Sequence, residues 1–344
     1  MSGDHLSNQV GLSAEISASG LRAGAQSRFI AAADRLLGAA VDLMSPPLEG
    51  MAQRARAKTT ADVELIEALG ARRVAMVNAN PELAAQAIDQ HLSKIGRRHA
   101  NKLASVKAAL EDLTANPPDG PQEQSETNEL DLDFLNRYER YAEDATSDQL
   151  RERWGRVLAA EVRSPGTFSP KVLRSVDEMD SATASLFESF VSSRLADVVP
   201  KALTRELLFE EQARLVGAGL LVDPGFAGQV RLSNSVTDQS GVQLWLFGFD
   251  DDGIALSSPV TVTNLEDKFI NFGDEPGRPV MPVYVLTDTG VAIASILKDE
   301  KDATLRALVE GLRNQVSAGV LRRYRKREGS FHMIEELPVG AEGT

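Results

Sequence analysis

Apolar residues recur at helical spacing through residues 130–200, and this pattern predicts four consecutive helices. Thr146, with Gln149 three residues later, has the spacing of a capping box and predicts the start of the second helix. Ser169-Pro170 and Asp180-Ser181 predict the starts of the third and fourth helices. Four short helices with tight connections cannot each bury an apolar face alone, so we expect them to pack as one helical domain.

An acidic residue lies on the apolar seam of the second helix. Glu161 follows Trp154 by seven residues and Val157 by four, which places its carboxylate beside buried positions. A buried carboxylate needs a charged partner or several hydrogen bonds. In the structural interpretation, Glu161 accepts from the N–H groups of the turn at 166–168 or lies at the positive end of the helix capped by Ser169. In the functional interpretation, Glu161 is a general acid or base, or a ligand. The structural interpretation is favoured, because carboxylates with a shifted pKa at helix ends often have only a structural role.

The segments on either side of this domain differ in character. Residues 1–20 are rich in Ser, Gly and Ala and are predicted to be a disordered tail, whereas residues 21–113 form an N-terminal helical region. Within it, residues 21–45 have an apolar face that fits either peripheral membrane contact or packing on neighbouring helices. Packing is favoured, because the polar face mixes both charge signs. Residues 114–129, with three prolines, predict a linker, and residues 338–344 predict a tail.

The C-terminal region, residues 201–337, combines helical patterns with strand-like segments. The best strand pattern is at 242–249, which is aromatic and apolar. A helix that ends at Gly219 and a later helix opened by residues 287–290 are similar to parts of a winged-helix module with an inserted sheet. We therefore predict a mainly α protein, with an N-terminal helical arm, a central four-helix unit and a C-terminal α+β winged-helix-like part.

Two basic clusters are candidate contacts for nucleic acid or for a protein partner. The first includes Arg97 and Arg98, expected near the end of a helix, where cations also have a purely electrostatic role. In the second, basic side chains would contact phosphates and a tyrosine would add a stacking surface. This second cluster would equally cover an acidic surface of its own domain or of a partner. Its members are Arg322, Arg323, Tyr324, Arg325, Lys326 and Arg327.

Composition narrows the possible chemistry. The chain has 344 residues and no cysteine, which excludes disulfides, cysteine nucleophiles and thiolate metal sites. The net charge is −13, and residues 114–344 hold 24 basic against 38 acidic side chains, which argues against broad nucleic-acid binding there. No phosphate-binding loop, nucleophile elbow or metal-ligand spacing occurs in the sequence. We assign no catalytic residue, metal site or cofactor, and expect a cytoplasmic location because no signal peptide or apolar run of about 20 residues is found.

Several short blocks of the helical domain carry a family resemblance. They are FLNRY at 134–138, AED at 142–144, Trp154, LAAE at 158–161 and PGTFS at 165–169. These blocks resemble a bacterial family of uncharacterised proteins, domain of unknown function 2806, and more distantly the abortive-infection alpha proteins. The resemblance implies a helical protein of bacterial or phage origin linked to phage defence, and it carries over no catalytic residues.

Three functions follow as hypotheses. The leading one is a non-enzymatic interaction protein of a bacterial cell, acting as a phage-defence component of the abortive-infection type. The first alternative is a winged-helix DNA-binding regulator that uses the basic run at 322–327, and the second is a hydrolase that uses a buried carboxylate such as Glu161. A protein partner or self-association is expected, because Ala-rich helices leave faces to be filled.

Overall fold

A computed structural model describes most of the chain and divides it into two compact units, residues 1–170 and 171–344. This division passes through the segment 130–200 that the sequence predicts as one domain, and the predicted domain limits stay predictions. The predicted tail at 1–20 and most of the linker lie outside the described residues. The described residues are 23–37, 81–117, 129–226, 228–262, 269–273, 275–317, 319–327 and 329–339.

The described part of the first unit is helical. Its second helix is far longer than the others and continues into the first residues of the predicted linker. The helices are α1 (Ala23–Leu37), α2 (Pro81–Ala115), α3 (Leu132–Glu143) and α4 (Asp148–Arg163).

Two short polar side chains fix where the central helices begin. Asp131 caps α3 by accepting from the Phe134 N–H at 2.9 Å. Ser147 caps α4 by accepting from the Leu150 N–H at 3.2 Å. The predicted capping box at Thr146 is therefore wrong by one residue, because the serine oxygen reaches the free amide.

The first unit is held together by a close contact between α2 and α4 and by an aromatic cluster. A Cβ atom added to Gly155 would lie 2.5 Å from the Cβ of Ala108, so only glycine permits this approach. The Trp154 ring stacks on Tyr141 at 4.9 Å and meets the buried Tyr138 edge-on at 6.0 Å. The predicted apolar seam of α4 is thus largely buried.

Helix α1 packs within this unit through its apolar face. Phe29, Ala33 and Leu36 are buried, whereas Ile30 is exposed. Arg28 is also buried, and its Nε donates to the Val162 carbonyl at 3.0 Å. Peripheral membrane contact through residues 21–45 stays a prediction, and residues 38–45 lie outside the described part.

The second unit mixes helices with two sheets. Helix α5 begins at the division between the units. The helices are α5 (Pro170–Glu178), α6 (Ser181–Val191), α7 (Phe209–Gly217), α8 (Asp288–Ala294) and α9 (Lys301–Gln315), with a 3₁₀ turn at Lys201–Leu203. The strands are β1 (Val198–Pro200), β2 (Gln229–Leu232), β3 (Asn234–Thr237), β4 (Gln243–Phe249), β5 (Asp252–Ser257), β6 (Asn271–Phe272), β7 (Pro279–Val285), β8 (Gly319–Arg327) and β9 (Ser330–Val339).

Both sheets of this unit are antiparallel. One has four strands in the order β1-β7-β2, with β6 also paired to β7. The other has five strands in the order β3-β4-β5-β8-β9. A single apolar core joins one face of the larger sheet to α9 and to the smaller sheet, for example through Phe247, Leu308 and Val283.

The predicted mainly α class is wrong. Helical residues make up about 52% of the described part and strand residues about 22%, arranged in two sheets, so the fold is mixed α/β. The two segments that were compared with a winged-helix module, the helix end at Gly219 and the helix start at Thr287, do contact each other. The Thr287 hydroxyl donates to the Gly219 carbonyl at 2.5 Å. The strands around them belong to two sheets, however, and the second unit is not a small wing attached to helices.

The sequence located some strands and missed others. The segment 242–249 is confirmed as strand β4, and Thr287 is confirmed as the cap of α8. The predicted helix that ends at Gly219 is confirmed as the short helix α7, Phe209–Gly217, and residues 201–203 form the 3₁₀ turn instead. The basic run at 322–327 lies in a strand, β8, which a tight turn joins to β9.

Candidate functional site

The two faces of the five-stranded sheet differ in what covers them. One face lies on the core that includes α9. The opposite face has its own small apolar cluster, whose members all come from the sheet's own strands. They are Leu244, Leu246 and Ala255, with Val236, Tyr324 and Phe331 packed against them. We refer to this second side as the open face, defined by these six residues.

A β-bulge decides which side chains of β9 point to the open face. Arg323 pairs with Glu335 and Tyr324 pairs with Met333, so Ile334 is an extra residue in β9. Strand residues alternate between faces, and the extra residue inverts that alternation. Met333 and Phe331 therefore lie on the open face beside Tyr324.

Two glycines allow the Phe331 ring to lie close to the sheet. A Cβ atom on Gly253 would lie 3.3 Å from the Phe331 ring and 2.9 Å from Leu246. A Cβ atom on Gly248 would lie 3.8 Å from the same ring, an ordinary contact distance. Gly253 is thus the position where a side chain would compete with Phe331 for space.

The open face contains a cavity of about 560 Å³. This size falls in the range of known ligand and side-chain binding sites, and the mixture of apolar walls and a few polar groups is typical of them. The lining residues come from β3, β4, β8, β9 and the loop after β3. They are Val236, Thr237, Asp238, Gln239, Ser240, Leu244, Leu246, Arg322, Tyr324, Phe331, His332 and Met333.

One wall of this cleft is fixed by an arginine between two carboxylates. Arg322 donates through Nη1 to Asp238, at 2.5 Å, and through Nε to Glu336, at 2.6 Å. Asp238 also accepts from the N–H groups of Ser240 and Val242, both at 2.8 Å. The hydrogen bond from the Arg322 guanidinium is the largest of the effects that lower the pKa of Asp238. The same bond raises the pKa of Arg322. The loop after β3 is therefore held in one position.

The predicted basic run at 322–327 is divided by strand alternation and largely paired within its own unit. Besides Arg322, Arg323 pairs with Glu335 at 3.0 Å and Arg325 with Asp252 at 3.2 Å. Both Lys326 and Arg327 are exposed, and neither shows an ion pair with a described residue. Of the two interpretations of this run, the geometry favours the one in which it covers acidic groups of its own domain.

The other predicted basic cluster lies in the middle of α2 and not at its end. Arg98 is within 3.5 Å of Glu143 and 3.6 Å of Asp144, whereas Arg97 is exposed. Because α2 continues to Ala115, stabilisation of these cations by the end of the helix dipole does not apply.

Glu161 is buried, with 1% of its surface exposed, and it binds the turn that follows its helix. Its two carboxylate oxygens accept from the Gly166 N–H at 2.6 Å and the Phe168 N–H at 2.9 Å. Burial raises the pKa of Glu161, while the amides of Gly166, Phe168 and Thr167 partly offset that rise. This is the contact that the structural interpretation expected, and it occupies both oxygens.

The cleft contains Ser240, His332 and Asp238, the residue types of a hydrolytic triad. Asp238 is already bound by Arg322 and by two amides, and no hydrogen bond joins His332 to either residue in the described part. A triad requires the histidine to contact both partners. In the described ranges no group of three His, Cys, Asp or Glu side chains could hold a metal ion. Asp238 is thus engaged by Arg322 and by the loop after β3.

The sequence points to the arginines of this site but not to the cleft itself. Its strand pattern includes Leu244 and Leu246, whereas no pattern marks Phe331 or Met333 as cleft residues. The signal that points to them is the pair Gly329-Ser330 after a basic run, which marks a turn and makes residues 330–339 a second strand. The bulge that turns Phe331 and Met333 to the open face has no such signal.

The protein is thus a two-unit, mixed α/β protein with an open, partly apolar sheet cleft in its second unit. Residues 93–224 match the family described as "Protein of unknown function (DUF2806)". The match covers the second part of α2 and helices α3 to α7, which confirms the resemblance to this uncharacterised family. The bacterial origin and the similarity to abortive-infection proteins stay predictions. No curated protein and no solved structure matches the chain.

Within the described ranges, no helix is both long enough and apolar enough to cross a bilayer.

Proposed function

We propose that the protein is a non-enzymatic binding protein, and that it holds a protein partner at the cleft on the open face of the five-stranded sheet. The observation that carries this proposal is the cleft itself. Tyr324, Phe331 and Met333 present apolar surface there, and 53% of the Met333 surface is exposed. Exposed apolar surface rimmed by polar groups marks binding sites in folded proteins.

The nucleic-acid and hydrolase alternatives receive less support. Three arginines of the run at 322–327 are paired with carboxylates of the same unit, which leaves few free cations for phosphates. Both oxygens of Glu161 are bound to backbone amides in a buried position, so no substrate reaches them.

A photo-crosslinking experiment with the full chain tests the binding proposal. Benzoylphenylalanine replaces Met333, which lines the cleft. In the control it replaces Ile334, the next residue in β9, which is 43% exposed but does not line the cleft. Irradiation in cells that produce the protein should give a discrete protein adduct only from position 333. Adducts from both positions, or from neither, would refute partner binding at this cleft.

The resemblance to abortive-infection proteins supports a more specific proposal, that the bound partner belongs to a phage-defence pathway of a bacterial cell. The test is phage plating on bacteria that produce the wild-type chain or the Met333→Glu variant. The proposal is supported if phage form fewer plaques on cells with the wild-type chain and the plaque number is restored on cells with the variant. Equal plating on cells with and without the chain contradicts it.

A further inference from the structure

Strand β2 forms one edge of the four-stranded sheet. In the described part of the chain it pairs on one side only, with β7, in a register that places Val230 opposite Pro282 and Leu232 opposite Val280. Edge strands present unpaired N–H and C=O groups, which are a template for pairing with another chain. A strand added beside β2 would continue this sheet.

Pro282 determines which backbone groups of β2 point away from the sheet. In an antiparallel pair, opposite residues alternate between pairs that exchange two hydrogen bonds and pairs that exchange none. Pro282 has no N–H group, so Val230 and Pro282 exchange none. The N–H and C=O groups of Val230, and by alternation those of Leu232, therefore point to the free edge. Among the described residues, no backbone group outside the sheet bonds to these four groups.

The side chains at the same two positions are apolar and exposed. Val230 has 48% of its surface exposed and Leu232 has 54%. Arg231, between them, points to the opposite face, where it donates to Asp197 at 2.6 Å and to the Gly248 carbonyl at 2.7 Å. Natural edge strands are often protected from pairing by an exposed lysine, a proline or a bulge, whereas positions 230 and 232 offer only apolar side chains.

A cation lies at the start of this edge. Lys201 Nζ is 4.8 Å from the centroid of the Tyr284 ring, and a Cβ atom added to Gly228, just before β2, would lie 3.3 Å from the same nitrogen. Tyr284 follows Pro282 by two residues, so it is on the same face of the sheet as Val230. No ion pair joins Lys201 to a carboxylate of the described ranges. Its ammonium group is therefore available to a carboxylate of a bound segment.

We infer that the free edge of β2 binds an extended segment of a partner protein as an added antiparallel strand. Every described pair in this sheet is antiparallel, and this arrangement is slightly more stable per residue than the parallel one. In this orientation, two apolar residues of the segment lie opposite Leu232 and then Val230, and a carboxylate two residues further on lies beside Lys201. The sequence recognised is apolar, any residue, apolar, any residue, Asp or Glu. This edge belongs to the other sheet from the cleft, so the inference does not depend on partner binding at the cleft.

A second copy of the chain fits this edge less well. Two β2 strands that use all four free groups would pair antiparallel, with Val230 of each copy opposite Leu232 of the other. The two Arg231 side chains would then lie directly opposite each other, and like charges in that position destabilise strand pairing. A different protein is therefore the favoured occupant.

Peptides of about eight residues, about 26 Å long when extended, test this inference by fluorescence anisotropy with the full chain. The matching peptide contains leucine, leucine and glutamate in that order, separated by single threonines, and the reversed peptide contains them in the opposite order. Two further peptides keep the matching order and carry N-methyl groups on both leucine amides or on the two threonine amides. Methylation at leucine removes the N–H groups that would donate to the Val230 and Leu232 carbonyls, whereas the threonine amides face away from β2.

The matching peptide should bind about fivefold more tightly than the reversed one. Methylation of the leucine amides should weaken binding about tenfold or more, and methylation of the threonine amides should not. Lys201→Glu should remove the preference for the matching order. The control Lys326→Glu, which reverses an exposed cation of the other sheet, should preserve it.

Equal binding of the matching and reversed peptides, binding of neither, or binding that ignores methylation of the leucine amides overturns the inference. A dimer of the full chain in light scattering that Val230→Glu dissociates would replace it with pairing of two copies. Crosslinking from position 333 reports on the cleft alone, so failure of the added strand and failure of the proposed function are distinguishable.

Discussion

Gly155 of α4 lies directly against Ala108 of α2, at a distance that leaves no room for a side chain. An added methyl group would lie 2.5 Å from the Ala108 Cβ and 2.9 Å from backbone atoms of α2. Gly155→Ala should therefore force the two helices apart and lower the free energy of unfolding by about 1–3 kcal/mol, measured by chemical denaturation.

A matched control is available on α2. Gly96 has no atom within 4 Å of the site where a Cβ would be added, so Gly96→Ala should raise helix stability by about 0.5–1 kcal/mol. A change of the same sign in the free energy of unfolding for both substitutions would contradict the close packing of α2 and α4.

Glu161→Gln should destabilise the first unit, because the side-chain amide would place an N–H group opposite the N–H of Gly166 or Phe168. One buried donor would then lose its acceptor, at a cost of about 1–3 kcal/mol. Faster hydrogen exchange at the amides of residues 166 and 168 would show the effect locally. A variant with unchanged stability that has lost its biological activity would instead support a functional role.

The raised pKa of Glu161 also predicts a dependence on pH. The folded protein binds this proton more tightly than the unfolded chain, so the stabilising contribution is complete below the ordinary pKa of 4.5. It is lost as the pH rises through the folded value. The unfolding free energy of the wild type, relative to that of Glu161→Gln, should decline as pH rises above 4.5, and a constant difference across that range would contradict this account.

Asp238 should show the opposite dependence. Arg322 lowers its pKa below the ordinary 3.8, so its contribution to stability is present above that value and is lost as the pH falls through the folded pKa. The difference in unfolding free energy between the wild type and Asp238→Asn, measured by chemical denaturation, should be constant above about pH 4 and should shrink as the pH falls below that value. A difference that stays the same in acid would mean that the substitution acts by another route.

Gly253→Ala should disturb the cleft more than Gly248→Ala. The new methyl group at 253 would lie 2.9 Å from Leu246 and 3.3 Å from Phe331, so the ring must move, whereas at 248 it would only touch the ring. Crosslinking from benzoylphenylalanine at position 333 should fall for Gly253→Ala, and both variants should keep a folded circular dichroism spectrum. Equal loss of binding in the two variants would show that the position of Phe331 does not matter.

Sequence patterns located the helices of this protein much better than its sheets. The apolar period in residues 130–191 is regular, and Asp131 and Asp180 both cap helices, as short polar residues do. Some strands are short and polar by contrast, as in β3 with the sequence NSVT, so they show no alternation that a single sequence reveals.

The candidate site was even less predictable. The run at 322–327 looked like a phosphate contact because its carboxylate partners are distant in sequence, Asp238 being 84 residues from Arg322. Such pairs depend on sheet topology, which local patterns do not contain. Glu161 was different, because its acceptor role uses a turn only five to seven residues away.

The extra residue Ile334 means that the lining of the cleft depends on the pairing register of β9 as well as on side-chain identity. Deleting Ile334 would remove the bulge and leave Met333 opposite Tyr324, so the open face would keep its lining. A register in which Ile334 itself paired with Tyr324 would instead turn Phe331 and Met333 to the covered face. Such a slip changes neither composition nor net charge, yet it would remove the apolar lining of the open face.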